Sequence, residues 1–307
     1  MLVAFLGNDR WSVPSLEALV ASSHQVVAVV TRVPRPAGRG GRLRATPVAE
    51  AARPLRVPLS EVETVKEGPG LDALRAGNPE VLAVVAYGEI LPAHVLDVPR
   101  AAPVNVHFSL LPAFRGADPV RRAILQGVEV TGVTTIRMDA GMDTGPILLQ
   151  EEARIAPGEA AGSLGDRLAR LGGDLLVQTL DGLETGTVVP QAQDHDRATL
   201  APKLRPEEEW IDWSEHADAV HRRVRALSPD PGARTRFRGK VLKVLGVTVT
   251  EASGEPGGVL EPAGDMPVVA TGSGAVVLEL VIPEGRRPMS GADFARGYRP
   301  ALGERMG

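Results

Sequence analysis

The 307-residue chain carries 34 Lys and Arg against 38 Asp and Glu, a net charge of −4, with 3% aromatic residues and no cysteine. That length suits about two domains of ordinary size, each able to bury a core, and the lack of cysteine excludes disulfides, thiolate metal sites and a cysteine nucleophile. The charge balance excludes a uniformly basic nucleic-acid binder and the sparse aromatics exclude extensive base stacking, so an RNA partner needs positive charge gathered locally.

Residues 2–6 predict a buried strand, and Gly7-Asn8-Asp9 turns it into a helix opening near Ser12 with Pro14 in its first turn. This turn lacks Gly-x-Gly-x-x-Gly, which argues against dinucleotide binding, while the expected architecture is still α/β, a doubly wound (Rossmann-like), mainly parallel sheet. No basic leader precedes the first strand, and no stretch approaches the about 18 consecutive apolar residues of a membrane span; the expectation is a cytoplasmic protein with no membrane contact. A second strand is expected over 25–31. Five arginines follow in residues 32–44 (Arg32, Arg35, Arg39, Arg42, Arg44), interspersed with Gly and Pro and without apolar periodicity. That composition describes a solvated cationic loop, and no Gly-Lys-Ser/Thr makes it a phosphate loop.

Thr46-Pro47 starts the next helix, followed by a short strand near Val57, a helix over 70–76 and a strand over 81–86. The segment Tyr87-Gly88-Glu89-Ile90-Leu91-Pro92 leaves that strand as a loop. Further on, Asp118-Pro119 caps a helix to Gln126, residues 131–138 and 147–155 read as strands, and 160–183 is an amphipathic helix with leucines at helical spacing. From 184 to 209 the pattern reads as a last strand and a crossing linker; Asp194-His195-Asp196 within it lacks a further ligand at suitable spacing for a metal. After a helix to about residue 227, short alternating runs with Gly turns suggest a small β-barrel. Residues 219–245 hold eight Lys and Arg against Asp230 alone, and Arg234, Arg236 and Arg238 alternate so as to share a strand face. The domain expectation is 1–189, a linker over 190–206, and 207–307.

The chemistry concentrates at 103–148. Asn105 and His107 close an apolar run and, at i and i+2 on an extended segment, project to one side. A second run empties into a loop holding Asp139 and Asp143; if the two runs are neighbouring strands, Asn105, His107 and Asp143 converge at the carboxyl end of the sheet. These three groups suit acyl or formyl transfer to an amine. An Asn amide and a protonated imidazole donate to an oxygen that gains negative charge, and a nearby carboxylate orients the ring, favours the imidazolium and relays the amine proton. Taken singly, such a His is ordinarily structural and such an Asp is turn chemistry; the combination points to a site.

Asn105-Val-His107-Phe-Ser109-Leu-Leu-Pro112, Arg115-Gly116-Ala-Asp-Pro119, Thr131-Gly-Val-Thr134 and Met138-Asp139-x-Gly141-x-Asp143-Thr-Gly145-Pro resemble the folate-dependent formyltransferases. Within that family the chain is most similar to the branch that formylates methionyl-initiator-tRNA. The resemblance implies 10-formyltetrahydrofolate as donor, no metal, and Asn105, His107 and Asp143 as the catalytic set. It implies that Ser109, Leu110, Leu111 and Pro112 line the folate site, that the loop of Tyr87, Gly88 and Ile90 closes over the pterin ring, and that Asp139 is a further folate-site residue. It assigns the insert of Arg35, Arg39, Arg42 and Arg44, and the basic face of an OB-like C-terminal barrel with Arg234, Arg236 and Lys240, to tRNA. The expected partners are initiator methionyl-tRNA and a folate, with a monomeric enzyme. Two other readings stay open: an amino-sugar nucleotide N-formyltransferase using the same donor, and a non-catalytic RNA-binding module on the same scaffold.

Overall fold

In the computed structural model, which describes residues 1–37 and 41–307, the chain divides into two compact units. One comprises Met1–Pro119, Val130–Arg154 and Gly165–Pro202, the other Val120–Glu129, Ile155–Leu164 and Lys203–Gly307. The elements run β1 (Leu2–Gly7), α1 (Val13–Ala21), β2 (Gln25–Arg32), β3 (Arg35–Ala37), β4 (Arg42–Arg44), α2 (Pro47–Leu55), β5 (Leu59–Val62), α3 (Gly68–Ala76) and β6 (Val81–Val85). They continue with α4 (Ala93–Leu96), β7 (Ala102–His107), α5 (Pro119–Gln126), β8 (Val130–Arg137), β9 (Ile147–Arg154) and α6 (Ala161–Thr185).

The first unit is built on a seven-stranded sheet of order β5-β2-β1-β6-β7-β8-β9, parallel from β5 to β7. Val3 to Leu6 and the whole of β6 are buried, the continuous burial that parallel strands covered on both faces require. Local chemistry sets the helix starts. The Asp9 carboxylate accepts from the Trp11 N–H (3.0 Å) ahead of α1, and the Thr46 hydroxyl accepts from the Ala49 N–H (3.1 Å) at the start of α2, with Pro47 in its first turn.

Three expectations change. The arginine-rich segment is not structureless: β3 and β4 pair antiparallel with Arg35 opposite Arg44, because the Arg-Leu-Arg alternation fits an exposed two-stranded ribbon. Residues 185–190 form no strand; Gln191 makes only an isolated bridge to Ile147 at the β9 edge, and Pro190 has no N–H for a longer ladder. Finally, β8 runs antiparallel to β7 with Arg137 opposite Val104, so the loop that carries Asp143 leaves from the level of Val104 rather than from the carboxyl end of β7.

The second unit contains α7 (Ala217–Leu227), β10 (Ala233–Phe237), β11 (Lys240–Thr250), β12 (Val259–Ala263), β13 (Met266–Ala270), β14 (Ala275–Pro283), β15 (Met289–Ser290) and α8 (Gly291–Tyr298). Its sheet is antiparallel, ordered β10-β11-β14-β13-β12, with β15 on β14. Residues 305–306 bridge both edges, Met306 to Phe237 at the end of β10 and Arg305 to Gly258 before β12, which ties the edges together as a small barrel needs. Val220, Val224, Val244, Leu278 and Phe294 fill its core, and the buried Trp213 indole N–H donates to the Thr235 hydroxyl at 2.9 Å.

This unit contains a carboxylate far from its ordinary titration range. Glu208 takes two hydrogen bonds from Arg122, at 2.6 and 3.0 Å, and one from the Arg205 N–H, which together pull its pKa down from 4.5 to about 2. A depressed carboxyl stabilises the fold above its unfolded pKa and loses that contribution as pH falls through the folded value. A Glu208→Gln variant is therefore expected to melt below the wild type at pH 7, with the gap in Tm closing between pH 4.5 and about 2. Thermal melts of both proteins across that window check this.

Candidate active site

The site is assembled around the end of β7, where alternation places Asn105 and His107 on one sheet face. His107 is 5% exposed; its Nε2 lies 2.8 Å from the Phe114 carbonyl and its Nδ1 3.6 Å from Asp143 Oδ2. A carbonyl only accepts, so Nε2 carries a proton, and Nδ1 is the ring nitrogen left for chemistry. Asp143 is half-buried and its Oδ2 accepts from the Gly116 N–H at 2.8 Å. Among the described residues its Oδ1 has no hydrogen-bond donor, and the Asn105 amide, half-buried, has no side-chain partner. An amide, an imidazole nitrogen and a carboxylate oxygen are thus left uncommitted.

The sequence assigns the orientation of His107 to Asp143; in the structure the Phe114 carbonyl sets it. That carbonyl is aimed by a turn in which Phe114 (φ +62°) and Gly116 (φ +120°) both have left-handed backbone. The turn is tied to residues 199–201: the Phe114 N–H donates to the Thr199 hydroxyl (2.8 Å), the Arg115 N–H to the Thr199 carbonyl (2.8 Å) and the Ala201 N–H to the Arg115 carbonyl (2.7 Å). The stretch expected as a linker therefore holds the site loop. Its Gln193, 6% exposed, accepts from the Arg115 guanidinium and donates to the carbonyls of Asp143 and Gly145. Gly145 has to be glycine, since a Cβ there would lie 1.9 Å from the Arg137 carbonyl oxygen. His195 is drawn into the same group: Arg115 donates to its Nδ1 at 3.0 Å. Thr199 and Gln193 carry no sequence signal, because nothing local links them to a motif about fifty or more residues upstream.

The expected folate segment proves to be mostly framework. Ser109 is fully buried and its hydroxyl donates to the Ala113 carbonyl at 2.6 Å; Leu111 is buried; the Thr134 hydroxyl donates to the Ser109 carbonyl (2.7 Å) and accepts from the Leu111 N–H (3.1 Å). Leu110 and Pro112 are the two of the four with partly exposed surface. Asp139 staples its own loop, accepting from the Gly141 N–H (3.0 Å) and the Thr144 hydroxyl (2.7 Å). Tyr87 is 3% exposed, and burial followed by the Glu89 carboxylate pushes its phenol far up, so it is neutral. The Tyr87 carbonyl accepts from the Asn8 amide, and Gly88 (φ +77°) turns the chain so that Ile90 stands 79% exposed. Met142, on the Asp143 loop, is 57% exposed. These two loops follow the strands on either side of β7, and each offers solvent one large apolar side chain that a flat ring system could cover.

Of the residues assigned to tRNA, Arg35, Arg42 and Arg44 are exposed on the β3–β4 ribbon, Arg35 with Glu63 at 3.9 Å, and Arg39 lies outside the described residues. In the second unit Arg236 is exposed over the Trp210 ring (5.2 Å) and Lys240 is exposed. Arg234 is instead paired with Glu209 at 2.8 Å, as Arg223 is with Glu215 (2.7 Å) and Arg238 with Glu304 (2.6 Å). Much of the basic excess counted over 219–245 is neutralised by acids outside that window. Elsewhere in the first unit, His24, Asp181 and Glu184 come within 4.8 Å of one another, but the Met1 ammonium sits among them, 3.3 Å from Glu184.

Comparison with known proteins gives a consistent result. The family model described as formyl transferase matches residues 1–180, and that described as formyl transferase, C-terminal domain, matches 203–299. A methionyl-tRNA formyltransferase of Solibacter usitatus is 46% identical, covering 100% of this chain and 99% of its own length; that of Streptomyces griseus is 46% identical with 100% of each covered. Among solved structures, an N-formyltransferase of Helicobacter canadensis, in complex with folinic acid and dTDP-3-aminofucose, shares the fold at TM-score 0.67 and 16% identity, over 91% of this chain and 99% of that one. The methionyl-tRNA formyltransferase of Clostridium thermocellum shares it at TM-score 0.57 and 16% identity, over 81% and 93%. HypX of Aquifex aeolicus, in complex with tetrahydrofolic acid, matches at TM-score 0.65 and 18% identity, over 98% of this chain and 48% of that protein, so the chain spans about half of it.

Proposed function

The chain belongs to the methionyl-tRNA formyltransferase family, and from that membership we propose that it moves the formyl group of 10-formyltetrahydrofolate to the α-amine of methionyl-initiator-tRNA. The observation that carries the chemistry is the pairing of His107 Nδ1 with Asp143 at 3.6 Å while Nε2 is committed to Phe114.

A folate donor fits the residues present: Ile90 and Met142 offer uncovered apolar surface, Leu110 and Pro112 partly exposed edges, and the buried Ser109–Thr134 bonds a rigid floor. When bound, the folate supplies a formyl carbon activated for attack by an amine. The chain's own groups do the rest. The Asn105 amide and the N–H at His107 Nδ1 donate to the formyl oxygen as negative charge grows there, and such aimed donors are commonly the largest catalytic term. Asp143, whose charge faces the imidazolium until then, takes at Oδ1 the proton that the attacking α-amine sheds, directly or through water, while Oδ2 stays fixed by the Gly116 N–H. That proton then passes to the folate nitrogen as its bond to the formyl carbon breaks and tetrahydrofolate leaves. Positioning of amine against formyl carbon supplies much of the remaining acceleration.

The acceptor assignment is supported by the relatives' names and by the exposed cations Arg35, Arg42, Arg44, Arg236 and Lys240, which suit a polyanion. The Helicobacter canadensis neighbour makes an amino-sugar nucleotide the acceptor to set against it. With the same folate donor, the protein is expected to formylate methionyl-tRNA and leave a 3-amino sugar nucleotide unmodified. Transfer to the sugar alone would reverse the assignment, and tRNA binding without transfer to either would favour a non-catalytic module.

A further inference from the structure

We infer that Gln193 is a positioning residue for formyl transfer, a clasp that sets the Asp143 loop against His107 from a segment more than eighty residues beyond the imidazole. The inference rests on the reaction proposed above and adds a part to it.

The orientation of the Gln193 amide is fixed by its partners. Arginine only donates, so the oxygen must face Arg115, which it does at 3.1 Å from Nε and 2.7 Å from the terminal nitrogen. The NH2 group then necessarily faces the carbonyls of Asp143 (2.8 Å) and Gly145 (2.7 Å). The two bonds from Arg115 and the one to the Gly145 carbonyl are buried and the one to the Asp143 carbonyl is partly buried, the side chain belonging to a residue 6% exposed, and that shielding strengthens them. The same loop grips Asp143 twice. Arg115 holds its backbone through Gln193, and the next residue, Gly116, holds its carboxylate through the N–H at 2.8 Å.

Asp143 needs such a clasp. Its backbone is left-handed (φ +54°), an uncommon state for a residue other than glycine, and its carboxylate reaches His107 Nδ1 only at 3.6 Å. A loop free to relax from that backbone carries the carboxylate away from both the imidazole and the amine. Misplacement by about 1 Å costs on the order of 10²-fold in rate even when the substituted residue does not touch the reacting atoms.

Two variants separate positioning from folding. Gln193→Glu keeps an acceptor for Arg115 and adds charge to that bond, which offsets part of what it loses by presenting carboxylate oxygens to the Asp143 and Gly145 carbonyls; kinetics are read only on protein whose thermal melt shows it folded. Gln193→Met keeps the length and removes every bond. Both are expected to lower kcat by roughly 10²-fold while KM for methionyl-tRNA stays within about threefold, the signature of a contribution made in the transition state. Amide exchange at Gly116, whose N–H is bonded to Asp143, is expected to accelerate in both. Wild-type kcat in Gln193→Glu, a rise confined to KM, or unchanged Gly116 exchange would overturn the inference. Failure of the reaction reading itself is distinguishable: wild-type protein would then transfer no formyl group to methionyl-tRNA, whereas Gly116 exchange reports on the clasp in either case.

Discussion

His107→Ala is expected to lower kcat/KM for formyl transfer by about 10²–10⁴-fold, the range associated with loss of a positioned proton donor or acceptor. The two imidazole nitrogens face different partners, Nε2 the Phe114 carbonyl at 2.8 Å and Nδ1 the Asp143 carboxylate at 3.6 Å, and the proposed reaction uses Nδ1. Alanine removes both. The Phe114 carbonyl loses its donor inside the protein, which costs about 1–3 kcal/mol of stability, small beside the stability of a domain of this size. The loss of rate therefore has to be measured on protein shown to be folded by circular dichroism and thermal melting. Near-normal turnover in a folded variant would remove His107 from the reaction.

The second large effect is expected from Asp143→Asn. This substitution isolates the charge: asparagine tolerates the left-handed backbone at this position (φ +54°) and its carbonyl oxygen can still accept from the Gly116 N–H. What it lacks is the negative charge that balances an imidazolium and the basicity to take a proton from the amine. A fall in kcat of about 10²–10³-fold with Tm nearly unchanged is the expected result, read by steady-state transfer and by melting. Asp143→Ala is a poorer probe because it also strains the backbone, so a stability loss there says nothing about chemistry.

The contrast between these residues and their supports marks how far the sequence can be read. Asn105 and His107 are legible because two polar residues at i and i+2 interrupt an otherwise buried strand, and burying polar groups there is costly unless they serve a site or a hydrogen-bond network. The parallel core is legible from the unbroken apolar runs at 2–6 and 81–85, and the strands of the second unit from alternation between Gly turns. The direction of β8 is not: an apolar run is buried equally well running either way, and with it went the expected route of the Asp143 loop. Gln193 and Thr199 are invisible for a related reason. Their hydrogen bonds join segments distant in the chain, and a polar stretch with Pro and Asp reads as a solvated linker whatever it touches. The basic count over 219–245 misleads in the opposite sense, since Glu209, Glu215 and Glu304, which pair with Arg234, Arg223 and Arg238, lie outside that window. Ser109 shows the same limit inside a motif: its identity suggests a ligand contact, and its fully buried hydroxyl holds a turn.

The most direct test is a single-turnover experiment with protein in excess over methionyl-initiator-tRNA and a donor carrying a labelled formyl carbon. Formation of labelled N-formylmethionine, recovered from the tRNA after mild alkaline release and slowed by about 10²-fold or more in both His107→Ala and Asp143→Asn, is the result expected. Label that stays on the folate or leaves it as free formate, with the tRNA-bound methionine unmodified, would contradict it.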